Sequence, residues 1–236
     1  MSLVRLPFVL PAVLGFHIAV TSPNVPSSGE AVPTLTIREK FLFPVVRWGC
    51  GFLKVVYWAG TMAEVAAVLS SYRSLPQPLD PVLATISSRS FETAPLTKGF
   101  MLGSALVVTG GFLRWLCYRE LGRLFTFSIS FRKGHKLVTT GPYSVVRHPS
   151  YTAAILCMAG TFIMHGSRGS WLRESGILQV TGVKQIVLSW VGIYAFAIAG
   201  LVMRIPEEDA MMRTNFKDQW FAWVKSVKYR LIPGIY

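Results

Sequence analysis

The stretch Gln185-Ile-Val-Leu-Ser-Trp-Val-Gly-Ile-Tyr-Ala-Phe-Ala-Ile-Ala-Gly-Leu-Val-Met203 carries no acidic or basic side chain, and it runs straight into Arg204-Ile-Pro-Glu-Glu-Asp209. Such an apolar run suits a helix crossing a lipid bilayer, where backbone polar groups must be satisfied within the segment itself. The return of charge at Arg204 marks the bilayer edge. Upstream, a second polar stretch, His135-Lys-Leu-Val-Thr-Thr-Gly-Pro-Tyr-Ser-Val-Val-Arg-His-Pro-Ser-Tyr151, leads into another apolar segment over about residues 150 to 166. Ionisable groups are expensive beside lipid, so two dense polar stretches flanking one helical hairpin point to a site where membrane meets water.

Composition agrees. Of 236 residues, 52% are hydrophobic and only 15% charged, and the mean hydropathy of +0.45 is too high for an ordinary soluble domain. One membrane domain over residues 1–236 is the economical organisation. The net charge of +13 would suit nucleic acid in a soluble protein. Here the bases cluster beside apolar spans and no nucleic-acid motif or zinc spacing accompanies them, so anionic lipid headgroups are the expected counter-charge. Cys50, Cys117 and Cys157 lie in or beside apolar segments without paired spacing and read as packing residues.

The expected fold class is an all-α integral membrane protein of about five transmembrane helices, with a small cytosolic hairpin or loop and a C-terminal amphipathic helix. Residues 6 to 20 fit a first span, with a cleaved signal peptide as the rival reading. Residues 22 to 40 form a proline-rich connection. A second apolar region over about 41 to 70 carries Arg47, Lys54 and Glu64. Glu64 is a functional candidate by default, but a partner on another helix or a misdrawn span boundary explains it equally well, and it is left out of the expected site. Lys54, ten residues away and about 15 Å along a helix, is too far to be that partner.

Residues 71 to 98 read as a long connection, with a short helix near 79 to 88. Lys98 and Arg114 bracket 15 uncharged residues, short of a core about 30 Å thick unless snorkelling and the Trp115–Tyr118 run extend them. Gly99 and Gly103 make a small-xxx-small spacing that permits close helix contact. The strongest span is 185 to 203. The segment from Arg114 to Arg147 holds seven Lys or Arg against one acid, and the tail from Arg204 adds six more bases. Both are therefore expected in the cytosol.

Phe125, Phe127, Ile129 and Phe131 alternate with polar residues, the period of a half-buried strand, and His135 to Thr139 could return as its partner. Such a hairpin would wall the membrane site or lie on headgroups. From Pro206 to about residue 228, Met212, Phe216, Trp220, Trp223 and Val227 recur at steps of three or four, so an amphipathic helix is expected there. Pro206 near its start and Glu207, Glu208 and Asp209 in its first turn match what a helix macrodipole favours.

In Gly141-Pro-Tyr-Ser-Val-Val-Arg-His-Pro-Ser-Tyr151, Gly141 and Pro142 make a turn, and Pro149 is tolerated in a first helical turn. Ser150 and Tyr151 then sit where a new helix exposes free N–H groups. Two readings fit these residues alone. They form a site for a carboxylate or polar ligand edge, or Arg147 and His148 merely snorkel while Tyr143 and Tyr151 join an interfacial aromatic belt. His135 and His148 have no third ligand at usable spacing, so no metal site is expected.

The run resembles the Gly-x-Tyr-x-x-x-Arg-His-Pro-x-Tyr signature of the isoprenylcysteine carboxyl methyltransferase family over its whole length. The likeness extends over about residues 100 to 236, which it marks as the methyltransferase core. It implies that His135, Lys136, Leu137, Val138, Tyr143, His148, Pro149, Ser150, Tyr151 and Glu208 line a pocket for S-adenosylmethionine. It implies also that Arg204 lies at the acceptor's carboxylate. Animal members carry an amide side chain upstream, where this chain has Ser128. A carboxylate suits the cofactor's ammonium or ribose hydroxyls, and a guanidinium offers a forked donor to an anion. The implied reaction is methylation of the C-terminal carboxylate of a prenylated cysteine, in a multi-pass protein of the endoplasmic reticulum membrane whose site faces the cytosol. The partners are a prenylated protein or prenylcysteine and the bilayer, with no nucleic acid. Methylation of another amphiphile such as a phospholipid amine, or a non-catalytic adaptor of the same fold, are the alternatives.

Overall fold

The computed structural model describes residues 2–24, 48–70, 94–127 and 134–236 of the chain. Most of the expected loop at 22–40, the start of the second apolar region, the short helix expected near 79–88, and Ser128 lie outside these residues. Among the described residues the regular structure is entirely helical. The principal helices are α1 (Leu6–Ala19), α2 (Cys50–Ser70), α3 (Lys98–Leu121), α4 (Pro149–Gly166), the short α5 (Trp171–Glu174) and α6 (Val183–Ser226).

Helix α3 is the axis of the bundle, flanked by α1 and α4. Thr97 caps it by accepting a hydrogen bond from the Phe100 N–H at 3.3 Å. Its 24 residues reach about 36 Å at about 1.5 Å each, so the Trp115–Tyr118 run does extend the span. Glycines set how closely its neighbours approach. A Cβ added at Gly103 would stand 2.3 Å from the Met164 backbone nitrogen on α4, and one at Gly111 would stand 2.4 Å from the Gly15 Cα on α1. The expected Gly99–Gly103 spacing is therefore used, and Gly110, Gly111 and Gly160 extend the same device along both faces.

Among the described residues, three helices are long and apolar enough to cross a membrane: Cys50–Leu69, the Lys98–Leu124 stretch containing α3, and α6. With 14 and 18 residues, α1 and α4 reach about 21 and 27 Å, short of a hydrocarbon core of about 30 Å. They complete the bundle by packing on α3. An aromatic group closes its interior, with the Phe16 and Tyr57 rings stacked at 4.2 Å and Trp190 and Tyr194 against them. Glu64 also finds its partner: Arg5 Nη1 lies 3.9 Å from Glu64 Oε1, with both side chains almost fully buried. Arg5 Nη2 donates to the Ala94 carbonyl at 3.2 Å. A buried ion pair of this kind is costly to break, because removing one partner strands the other charge.

Two expectations are corrected. The expected apolar set Met212, Phe216, Trp220, Trp223 and Val227 does pack in one cluster, but its helix does not begin near Pro206; α6 continues through that proline, and two helical stretches meet at a kink at Lys217, where φ is 41° and ψ is −111°. A proline removes one backbone donor but leaves the flanking residues free to stay helical when packing holds them, and Arg204 and Ile205 on its N-terminal side are buried. Glu207, Glu208 and Asp209 are consequently mid-helix, so a first-turn dipole role does not apply to them. The second correction concerns the hairpin. Residues 125–127 and 134–139 are not in strands, and residues 128–133 lie outside the described chain. Phe125 and Phe127 still turn inward, onto Tyr118 and Arg114, so these two residues share an inward face without being in a strand.

Candidate active site

The site lies where the N-terminus of α4 meets the middle of α6. Gly141 adopts φ +58°, and a Cβ there would stand 3.1 Å from the Glu120 carboxylate, whose Oε1 accepts from the Thr140 hydroxyl. After this turn His148 occupies the N-cap and Pro149 the first helical position, as the sequence predicts. The loop is pinned from outside by the C-terminal segment, whose Tyr229 and Arg230 carbonyls accept from the N–H groups of Arg147 and His148 at 3.0 and 2.8 Å. Trp223 Nε1 donates to the Tyr143 carbonyl at 3.1 Å.

Tyr151, Arg204 and Glu208 form a closed triangle. The Tyr151 hydroxyl donates to Glu208 Oε1 at 2.5 Å and accepts from Arg204 Nη2 at 2.9 Å. Arg204 Nε also donates to Glu208 Oε1 at 2.9 Å, while Nη1 reaches the Phe127 carbonyl at 2.9 Å. Arg204 is 5% exposed, so these charge-assisted bonds act with little solvent screening.

His148 links this triangle to a second group. Its Nδ1 lies 3.4 Å from Glu208 Oε2 and its Nε2 lies 2.9 Å from Asp209 Oδ1. Asp209 Oδ2 in turn faces Arg230 Nε at 3.0 Å and Arg147 Nη2 at 3.7 Å. Burial alone would push the His148 pKa down. Hydrogen bonds to Asp209 and Glu208, with their negative charges, outweigh burial and raise it above the ordinary histidine value.

A cavity opens from this junction into the bundle. His135, Lys136, Leu137, Val138, Tyr143, His148, Ser150, Tyr151, Arg204 and Glu208 all line it. Pro149 is the exception, a buried residue that shapes the start of α4 and is not on the wall. Beside these the wall includes Trp220 and Trp223 and the apolar side chains of Leu53, Ala154, Ile198 and Leu201. The cavity is therefore amphipathic.

Two residues were given other roles by the sequence. Arg114 marks only the end of a span in the sequence, yet in the structure it is a buried part of the cavity wall. Its Nη1 donates to the Ser150 carbonyl at 2.8 Å and to the Ser150 hydroxyl, and its Nε donates to the Ala19 carbonyl at 3.2 Å and Tyr118 hydroxyl at 3.0 Å. The guanidinium lies 5.2 and 5.0 Å from the Phe125 and Phe127 ring centres. Its signal was available: an arginine among aromatic residues within a helix facing a bundle. Asp209, read as a dipole residue, is instead the hub joining His148, Arg147 and Arg230.

A bundle of apolar helices with a charged cluster at an amphipathic cavity defines a helical membrane protein. The sequence profile of the phospholipid methyltransferase family matches residues 99–219, just over half of the chain, and the chain belongs to that family. It is similar to protein-S-isoprenylcysteine O-methyltransferase B of Arabidopsis thaliana, 39% identical over 64 residues, which is 26% of this chain and 32% of the relative. Protein-S-isoprenylcysteine O-methyltransferase A of the same plant is 27% identical over 127 residues, 53% of this chain and 55% of the relative. The resemblance carried by the Gly141–Tyr151 signature is thus matched by curated relatives of that name. The chain spans between about a third and just over half of the length of these relatives.

Proposed function

We propose that this protein transfers the methyl group of S-adenosylmethionine to the C-terminal carboxylate of a prenylated cysteine. The observation that carries the reading is the amphipathic cavity itself, with Arg204, Tyr151 and Glu208 at its polar end and apolar helix faces beyond. A lipid-modified carboxylate has matching ends. The names of the similar plant proteins support the same acceptor.

The residues present fit the methyl donor. Arg147 Nε is buried on the cavity wall with no hydrogen-bond partner among the described residues, a spare donor for the donor's carboxylate. Glu208 offers an acceptor to its ammonium or ribose hydroxyls, and Tyr143, Trp220 and Trp223 offer ring faces to its base. His135 to Val138 and His148 to Tyr151 complete the proposed pocket, Pro149 by fixing the helix start. When bound, S-adenosylmethionine supplies a methyl carbon on a positive sulfur: the new O–C bond forms as the C–S bond breaks, the bonding pair stays on sulfur, and no proton moves.

The acceptor carboxylate is ionised at neutral pH, so the chain needs no general base. Its task is alignment and exclusion of water. Arg204 is the residue placed to orient the carboxylate. Its hydrogen bonds to Tyr151 and Glu208 hold the fork in one direction and share its charge, so an incoming carboxylate is positioned without being gripped so tightly that its attacking lone pair is quenched. The proposed setting is the endoplasmic reticulum membrane, with the polar end of the cavity facing the cytosol and residues 100–236 carrying the core.

A second reading, methylation of a phospholipid amine, takes support from the name of the family whose profile matches. Arg204 favours an anionic acceptor over an amine. Membranes containing the protein should incorporate labelled methyl into a farnesylated cysteine analogue as a base-labile ester and leave phosphatidylethanolamine unlabelled. Label in the phospholipid alone would replace the first reading by the second, and label in neither would favour an adaptor.

A further inference from the structure

Among the described residues, the lysine and arginine side chains on the cavity wall are Arg114, Lys136, Arg147 and Arg204, and the only acid there is Glu208. All but one of these cations are accounted for. Arg204 pairs with Glu208 at 2.9 Å and Arg147 with Asp209 at 3.7 Å, and Lys136 is exposed, so solvent screens it. Arg114 is 4% exposed, and among the described residues no carboxylate pairs with it. Its neighbours are neutral: the carbonyls of Ala19 and Ser150, the hydroxyls of Tyr118 and Ser150, and the rings of Tyr118, Phe125 and Phe127. Carbonyl dipoles and ring faces ease the burial of a cation but bring no counter-charge.

The hydrogen bonding of Arg114 is also incomplete. Nε is taken up by Ala19 and Tyr118, and Nη1 by Ser150. Nη2 carries a further pair of N–H groups and makes no hydrogen bond among the described residues, yet it is not one of the unpartnered atoms sealed inside the protein. Because Arg114 lines the cavity, the open space that Nη2 meets is the cavity.

Arg114 on α3 and Arg204 on α6 approach the same residues from different helices. Arg114 donates to Ser150, and Arg204 to Tyr151, the next residue of α4. Arg204 Nη1 donates to the Phe127 carbonyl at 2.9 Å, and the Arg114 guanidinium lies 5.0 Å from the Phe127 ring centre. Glu208 already meets the charge of Arg204; nothing comparable meets that of Arg114. We propose that Arg114 is a further carboxylate-binding residue of the site, receiving a ligand's carboxylate on Nη2. This rests on the proposed function, whose methyl donor and acceptor each carry such a group, and the test separates the two.

The test is equilibrium binding of two matched pairs to the purified full chain in detergent: an S-farnesyl cysteine analogue and its primary carboxamide, and S-adenosylmethionine and its decarboxylated form. The quantity read is the preference for the carboxylate within each pair. An arginine that only ties helices together would leave that preference alone, because both members of a pair would lose affinity equally. Arg114→Gln, or Arg114→Met should the first not fold, removes the charge and should cut the preference in at least one pair by about tenfold or more, as expected when a hydrogen bond to a charged group is lost. The pair that responds identifies the ligand whose carboxylate Arg114 holds. Arg114→Lys keeps the charge and should retain most of the preference. A wild type with no carboxylate preference in either pair overturns the assignment, as do preferences unchanged by loss of the charge, a lysine variant no better than the neutral ones, or failure of every variant to fold. Each of these leaves the proposed function standing and makes Arg114 a structural tie between α1, α3 and α4. A wild type that binds neither pair overturns the proposed function and the assignment with it.

Discussion

Glu208 and Asp209 are adjacent in sequence but face different tasks, and His148 is the residue that ties them together. Because the His148 pKa is raised in the folded protein, the imidazolium contributes stability that is fully present below the unfolded value of about 6.5 and is lost as pH rises through the folded value. Thermal unfolding in detergent should therefore show a stability that declines with pH above that range. His148→Gln should flatten the decline; an unchanged slope would remove His148 as its source. Tyr151 makes a second residue-level prediction. Its hydroxyl bridges Arg204 and Glu208, so Tyr151→Phe should lower stability by about 1–3 kcal/mol, as expected when buried charged groups lose a shared partner. Denaturation of the variant beside wild type measures it, and equal stability would mean that the bridge contributes nothing.

At the scale of elements, the close approach of α1 and α3 depends on Gly111 lying against Gly15. Gly111→Leu would drive a side chain into backbone that cannot move aside, and should destabilise by at least about 1–3 kcal/mol through overpacking. Wild-type yield and melting temperature for that variant would contradict the packing described. The helices themselves were largely legible in the sequence because their signal is local: uncharged runs bounded by Lys98 and Arg114, or by Lys184 and Arg204, set spans with little help from tertiary context. The start of α4 was legible for the same reason, since Pro149 follows a Gly-Pro turn and is favoured in a first helical turn. What failed were inferences that needed packing. Pro206 looked like a helix start, but buried neighbours carry α6 through it to Lys217. Phe125 and Phe127 resembled the start of a strand, yet neither is in one, since a strand requires a partner that periodicity cannot supply. The pairing of Arg5 with Glu64 joins residues far apart in the chain, and no local pattern announces it.

For the whole molecule, ten of the eleven residues that the sequence nominated line one cavity. Arg114 escaped notice because its role follows from facing α1 and α4 at once, which only the assembled bundle reveals. The central claim is that the N-terminus of α4 and the middle of α6 together hold a methyl donor. It is tested most directly by equilibrium binding of labelled S-adenosylmethionine to the purified protein in detergent, with Glu208→Gln and His148→Ala measured alongside. The expected result is saturable binding by the wild type, weakened about tenfold or more in both variants through loss of charge-assisted contacts or of the group that positions them. A wild type that does not bind, or variants that bind as tightly as the wild type, would contradict it.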